Sequence, residues 1–133
     1  MAELTCTVVT PEQTALETKA DFVALPLFDG EIGIMANHSP LIGRLGFGEM
    51  RIKQGSQTVS YYVDGGFVQV ADNVVAVLTN RAVPAKNLDA AAAEAQLHAA
   101  LERPANSPEL FEIRDRQVAQ ARAQIRTARR GRL

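Results

Sequence analysis

Cysteine is nearly missing from this chain: Cys6 stands alone among 133 residues. A single thiol rules out a disulfide framework and any metal site built on several cysteines, and it fits a reducing compartment. Long apolar runs are missing too. No stretch approaches the ~18 unbroken apolar residues that mark a membrane-spanning helix, so no direct membrane insertion is expected. The start, MAELTCTVVTPEQ, carries Glu3 early and has no basic segment ahead of an apolar one, so it does not read as a signal peptide. Net charge is missing as well. Fourteen Lys and Arg against fifteen Asp and Glu leave −1, which excludes a molecule that binds polyanions with its whole surface. These features suit a chain in the cytosol or peripheral on a membrane complex.

The standard catalytic motifs are equally scarce. A Ser–His–Asp arrangement would draw on Ser39, His38 and Asp29, but neighbours on an extended segment point to opposite faces, so His38 and Ser39 cannot easily share a proton. No G-x-S-x-G elbow is present. Asp29, Glu31 and His38 match no standard metal-ligand spacing, and His98 falls on a helix in the other half of the chain. RLGFGEM (Arg44 to Met50) has G-x-G without a following helix or a Lys-Ser/Thr pair, and VDGGFVQV lacks the strand–glycine–helix order of a dinucleotide site. These glycines are expected to serve turns or bulges that need positive φ. The expectation is an interaction protein with no active site, no metal and no cofactor.

What is there divides into two textures. Hydrophobic residues make up 47% of the chain, and a chain of this length buries roughly two-thirds of its unfolded surface, so one core is within reach without staples. As far as about Pro84, short apolar runs alternate with turn chemistry. LTCTVVT (Leu4 to Thr10) is a strand stopped by Pro11. DFVALPLF ends at the hairpin dipeptide Asp29-Gly30, and Gly55 centres a second hairpin in EMRIKQGSQTVSYYV. Asp72-Asn73 precede VVAVLT (Val74 to Thr79), which is apolar on both alternating sets and should be covered on both faces, one by the second sheet and the other by the helices or by a partner. Turn signals about every ten residues predict a β-sandwich or barrel.

NRAVPAKN (Asn80 to Asn87) is the expected hinge. Beyond it the residues favour helix. The first helix is capped by Asn87, with Asp89 in its first turn, and stops before Pro104. The second is capped by Ser107 with Pro108 at its first position. It carries a seam of Phe111, Val118 and Ile125, filled in by Ala121 and Ala128 and interrupted by Arg114. The short connector predicts an antiparallel pair. Its inner surface is mostly alanine and buries little, so the pair should need docking elsewhere. The fold class is therefore α+β: an antiparallel β-sandwich over 1–84, then an antiparallel two-helix hairpin over 87–133. From Gln117 onward the second helix carries Arg122, Arg126, Arg129, Arg130 and Arg132 and no acid. That run either complements the helix dipole or probes an acidic protein surface. A pI near 6.1 and the lack of aromatic–basic interleaving argue against nucleic acid.

VVTPE (Val8 to Glu12), LPLFDGEIGIMANHSPL (Leu25 to Leu41), VDGGFVQV (Val63 to Val70) and NVVAVLTNRA (Asn73 to Ala82) closely resemble the epsilon subunit family of bacterial F-type ATP synthases, the delta subunit of mitochondria. The resemblance covers nearly the whole chain. It implies a ten-stranded β-sandwich followed by a helical hairpin, in a rotor subunit of the central stalk. Such a subunit binds gamma, rests on the c-ring, and couples proton flow to ATP synthesis without an active site of its own. It also implies a peripheral position on the cytoplasmic face of the bacterial inner membrane. By the family motif Glu31 and His38 would face the c-subunit loops. Ala36-Asn37-His38 stands where Pro-Gly-His is frequent, and asparagine tolerates the left-handed backbone that turn requires. An extended hairpin would reach the alpha and beta subunits, block ATP hydrolysis, and set Arg122, Arg126, Arg129 and Arg130 against acidic beta segments. The family's ATP motif, I/L-D-x-x-R-A, is only partly kept: Asp89 matches, but Ala92 stands where arginine would supply a charge-assisted phosphate contact. Against these expectations stand two others: a nucleotide-binding sensor, and a small β enzyme using His38.

Overall fold

A computed structural model describes residues 3–130; Arg132 and the outer ends of the two expected domains lie outside them. Eight strands come first: β1 Leu4–Val9, β2 Thr14–Ala20, β3 Phe22–Leu27, β4 Gly30–Met35, β5 Leu41–Gln54, β6 Gln57–Ala71, β7 Val74–Leu78 and β8 Ala82–Pro84. A 3-10 turn at Ala85–Asn87 leads to α1, Ala90–Leu101, and α2, Pro108–Arg130. The strand order is β2-β1-β7-β6-β5-β3-β4, with β8 on β6. Strands β5 and β6 are long enough to bend from one layer to the other. The first half of β5 and the second half of β6 join β7, β1 and β2; the remaining halves join β3, β4 and β8. Counted by halves, the sandwich has five segments in each layer.

Alternation packs the space between the layers. Leu4, Cys6 and Val8 of β1, Val68 and Val70 of β6, and Val75 and Val77 of β7 meet Val23, Leu25, Ile34, Met50 and Ile52 from the opposing layer, all essentially buried. One pair departs from the antiparallel expectation: β1 and β7 run parallel, Thr5 beside Val74 through Val9 beside Leu78. Strand β2 was not expected, because TALETKA consists largely of helix formers. Its pairing with β1 overrides that propensity. The first half of β5 was also hidden by its glycines. Gly46 and Gly48 do not have the positive φ expected of them. They let β3 come close instead: a Cβ on Gly46 would lie 2.8 Å from the Leu27 carbonyl oxygen. At the bend of β6 positive φ is real, 71° at Gly65 and 105° at Gly66.

The turns follow their chemistry with small shifts. The β3–β4 loop is Phe28-Asp29, one residue earlier than expected, because Gly30 already pairs with Leu27. Asp72 and Asn73 both take positive φ, 52° and 62°, as a tight two-residue hairpin requires. The expected hinge holds β8 and the 3-10 turn. Because Asn87 ends that turn and Leu88 is buried beneath the hairpin, α1 is capped by Asp89 and not by Asn87. The Asp89 carboxylate accepts from the amides of Ala91 at 3.0 Å and Ala92 at 3.2 Å. Ser107 caps α2 as expected, its hydroxyl accepting from Leu110 N at 3.2 Å. Ala93 and Ala100 of α1 and Val118, Ala121, Ile125 and Ala128 of α2 are buried. Phe111 drops out of the seam, 55% exposed, because α1 stops at Leu101 and leaves its ring little to pack on. The weak helix pair does dock: Ala123 and Ala128 close with Leu88 over the fully buried ring of Tyr62 on β6, and Phe47 and Val83 pack around them.

Candidate functional site

Three surfaces hold the candidate residues. The first is the outer face of the β7-containing layer. Phe67 pairs with Leu78 on one side and Arg44 on the other, and Val9 pairs with Leu78. Directly paired residues share a face, so these side chains form one row. Ile42, Gln69 and Ala76 form the next. Ile42 is 77% exposed, Phe67 59% and Leu78 53%. Phe28 lies at the border, with the Arg44 guanidinium 5.0 Å from its ring centre. A cleft of about 800 Å³ runs beside the row, lined by Pro11, Arg44, Phe67, Leu78 and Asn80. Strand β7 was expected to meet the second sheet on one face and the helices or a partner on the other; the helices do not cover it. Only Val75 and Val77 are buried, while Val74 and Leu78 stand open because the hairpin docks on the other layer. An apolar cluster left this exposed is the mark of a protein-binding surface.

The second surface is β4, the edge strand beyond β3. Ile34 turns into the core and Ile32 is half-buried, while Glu31, Gly33 and Met35 face out. After Met35 the chain reverses through Asn37, whose φ of 66° takes up the left-handed turn expected of it. Asn37 N donates to Asn73 Oδ1 at 2.6 Å, clasping this turn to the β6–β7 turn. His38 is half-buried rather than fully outward. Its Nδ1 donates to the Ser39 carbonyl at 2.7 Å. Glu31 and His38 are not brought together. Four residues of strand, about 13 Å, separate Glu31 from Met35 before the turn begins. Glu31 is also occupied: Arg51 reaches across β3 to it at 2.6 Å. Among the described residues no His, Cys, Asp and Glu side chains cluster closely enough to hold a metal ion.

The third surface is the hairpin. Four of the five arginines from Arg122 onward lie among the described residues. Arg122 and Arg126 are exposed and make no ion pair among the described residues, and with Arg129 and His98 they line an inter-helix cleft of about 400 Å³. Arg129 and Arg130, however, are engaged. Arg129 pairs with Glu94 at 3.2 Å. Arg130 stands 3.7 Å from Glu49, whose side chain is only 7% exposed. The antiparallel pairing of the helices and the docking of α2 bring those acids within reach. Asp89 spends its carboxylate on the helix cap, and Ala92 offers only a methyl group.

Sequence reading missed the groups that fasten the hairpin. Arg51 and Glu49 alternate on one face of β5 and pair at 3.1 Å. Asp64, at the bend of β6, accepts from Gln120 Nε2 at 2.9 Å and from the Tyr62 hydroxyl at 3.3 Å. Burial, then the neighbouring Asp64 charge, pushes the Tyr62 phenol above its ordinary range. The hydrogen bond to Glu31 holds Arg51 the more firmly protonated, against the opposing effect of burial. Burial likewise pushes the Cys6 thiol up to about 11, so it is neither nucleophile nor ligand at neutral pH. An i, i+2 alternation of Glu49 and Arg51 in a strand was the available signal for the first pair. The contact of Asp64 with Gln120 depends on α2 and left no local trace.

Comparison with known proteins places this geometry. The family model for the beta-sandwich domain of the ATP synthase delta/epsilon chain matches residues 3–85. The ATP synthase epsilon chain of Rhodopirellula baltica is 51% identical over 124 residues, covering 93% of this chain and 97% of that one. Epsilon chain 1 of Methylococcus capsulatus is 37% identical over 123 residues, covering 90% and 88%. Among solved structures, a chain of the Euglena gracilis mitochondrial ATP synthase (OSCP/F1/c-ring) superposes with a TM-score of 0.84 at 20% identity, over 92% of this chain and 79% of that one. A chain of the Tetrahymena thermophila mitochondrial ATP synthase central stalk and c-ring gives 0.74 at 14% identity, over 94% and 96%. At those identities the likeness is one of fold.

Proposed function

The chain belongs to the ATP synthase delta/epsilon family, and from that membership we propose that it works as the epsilon chain in the central stalk of an F-type ATP synthase, turning with the rotor. As an epsilon chain it is a non-catalytic part of that complex. Its task is to join gamma to the c-ring, so that proton flow through the ring reaches the catalytic head as torque.

The observation that carries this reading is the open apolar face of Ile42, Phe67, Leu78 and Val74. Apolar surface removed from water returns about 25 cal/mol per Å², and the chain itself leaves this face uncovered. Gamma is the partner assigned to it. The β4 edge is assigned to the c-ring loops, with Glu31 and His38 as its two separated contact points. The position is peripheral, on the cytoplasmic face of a bacterial inner membrane. No helix among the described residues is long and apolar enough to cross a membrane.

The hairpin is assigned a regulatory role. In the folded arrangement Arg129 and Arg130 are occupied by Glu94 and Glu49. On extension they would join Arg122 and Arg126 in facing acidic segments of the beta subunit, beside alpha. Affinity purification of the chain from its own membranes tests the reading as a whole. Gamma, alpha, beta and c subunits are expected to come with it; recovery of the chain alone would contradict it.

A further inference from the structure

Four alternating charges run from the edge of one sheet to the end of the hairpin. Glu31 on β4 holds Arg51 Nη2 at 2.6 Å. Arg51 Nη1 reaches Glu49 Oε1 at 3.1 Å, and the same oxygen lies 3.7 Å from Arg130 Nη1 in the last turn of α2. The outer acid is half exposed; the inner one is nearly buried. A buried carboxylate depends on its cations, and here two compete for one oxygen. Arg51, stretched between two acids, sets how much of Glu49 remains for Arg130. The side chains have room to shift, because Glu49, Arg51, Tyr61, Pro84, Lys86 and Arg130 line an open cleft of about 730 Å³.

We propose that Arg51 couples occupancy of Glu31 to docking of the last turn of α2. A group on a partner that takes Glu31 frees Arg51 to turn wholly onto Glu49, and Arg130 loses its hold. Charge acts in the same direction: an Arg51 no longer neutralised by Glu31 repels Arg130 more strongly. Removing Arg51 does the opposite, leaving Glu49 to Arg130 and abolishing the repulsion. Contact at the sheet edge and release of the hairpin are thereby linked, and linkage is reciprocal. Only the identity of the partner, a c-ring loop, rests on the function proposed above. The relay belongs to the chain alone.

Amide exchange in the last turn of α2, Ala128 to Arg130, followed by NMR on the full chain without partners, tests the relay. Glu31→Gln is expected to speed exchange about two- to five-fold, the scale of a partly exposed ion pair, and Arg51→Met to slow it by a similar factor. In an Arg130→Gln background, Glu31→Gln should add nothing. Unchanged exchange in Glu31→Gln, faster exchange in Arg51→Met, or a Glu31 effect that survives without Arg130 would each overturn the relay. Binding of Glu31→Gln to isolated c-ring separates the two ideas. Lost binding with unchanged exchange sinks the relay and spares the docking assignment; intact binding with the expected exchange pattern supports the relay and sinks Glu31 as a docking contact.

Discussion

The side-chain amide of Gln120 donates to Asp64 at 2.9 Å, tying the middle of α2 to the bend of β6 where Tyr62 also offers its hydroxyl. The hairpin is therefore seated on a polar clasp set over a buried aromatic ring. The two small helices need that seat, because their own interface is built largely from alanine.

The clasp should be sensitive to alkali. The folded value of Tyr62 lies above the ordinary tyrosine value of about 10. A group raised in the folded state contributes stability that is complete below its unfolded value and is lost as pH rises above it. Wild type is thus expected to lose on the order of 1 kcal/mol more than Tyr62→Phe between pH 8 and pH 10.5, measured by urea unfolding. Cys6 titrates in both proteins and cancels in the comparison. Equal losses would show that the phenol is not held neutral by its surroundings.

The cleft between the helices should bind nucleotide poorly. Arg122 and Arg126 line it, but Asp89 is committed to the cap of α1 and Ala92 brings no charge. The dissociation constant for ATP is expected to be no tighter than millimolar, about −4 kcal/mol. Isothermal titration of the full chain giving a micromolar constant would contradict this and favour a nucleotide sensor.

Removing the chain from Asn87 onward should raise ATP hydrolysis by the assembled complex and leave the sandwich folded, since the main core lies within residues 4–82. Hydrolysis unchanged by the deletion would remove the inhibitory role assigned to Arg122, Arg126, Arg129 and Arg130. The comparison is best made at two salt concentrations, because contacts between exposed charges weaken with ionic strength.

Much of this architecture is legible in the residues. Leu4, Cys6 and Val8 alternate into a core, Gly55 and Asp72-Asn73 turn hairpins, and Ser107-Pro108 start a helix. Strand β2 is not legible, because its Ala, Leu, Glu and Lys favour helix and only pairing with β1 decides otherwise. Gly46 and Gly48 read as turn or bulge residues, yet they serve close approach of β3 within a strand. The candidate contacts divide in the same way. The turn at Asn37 follows from local chemistry. The capture of Glu31 by Arg51 needs β3 folded between them, and the neutralisation of Arg129 and Arg130 needs both helices docked.

The most direct test of the central-stalk account is the affinity of the full chain for purified gamma subunit with and without Phe67→Asp, since Phe67 stands in the middle of the open apolar face, opposite Leu78. The account predicts at least a tenfold loss, about 1.4 kcal/mol, from placing a carboxylate in a buried apolar contact, with the fold unchanged by circular dichroism. Wild-type affinity for gamma in the Phe67→Asp chain would contradict it.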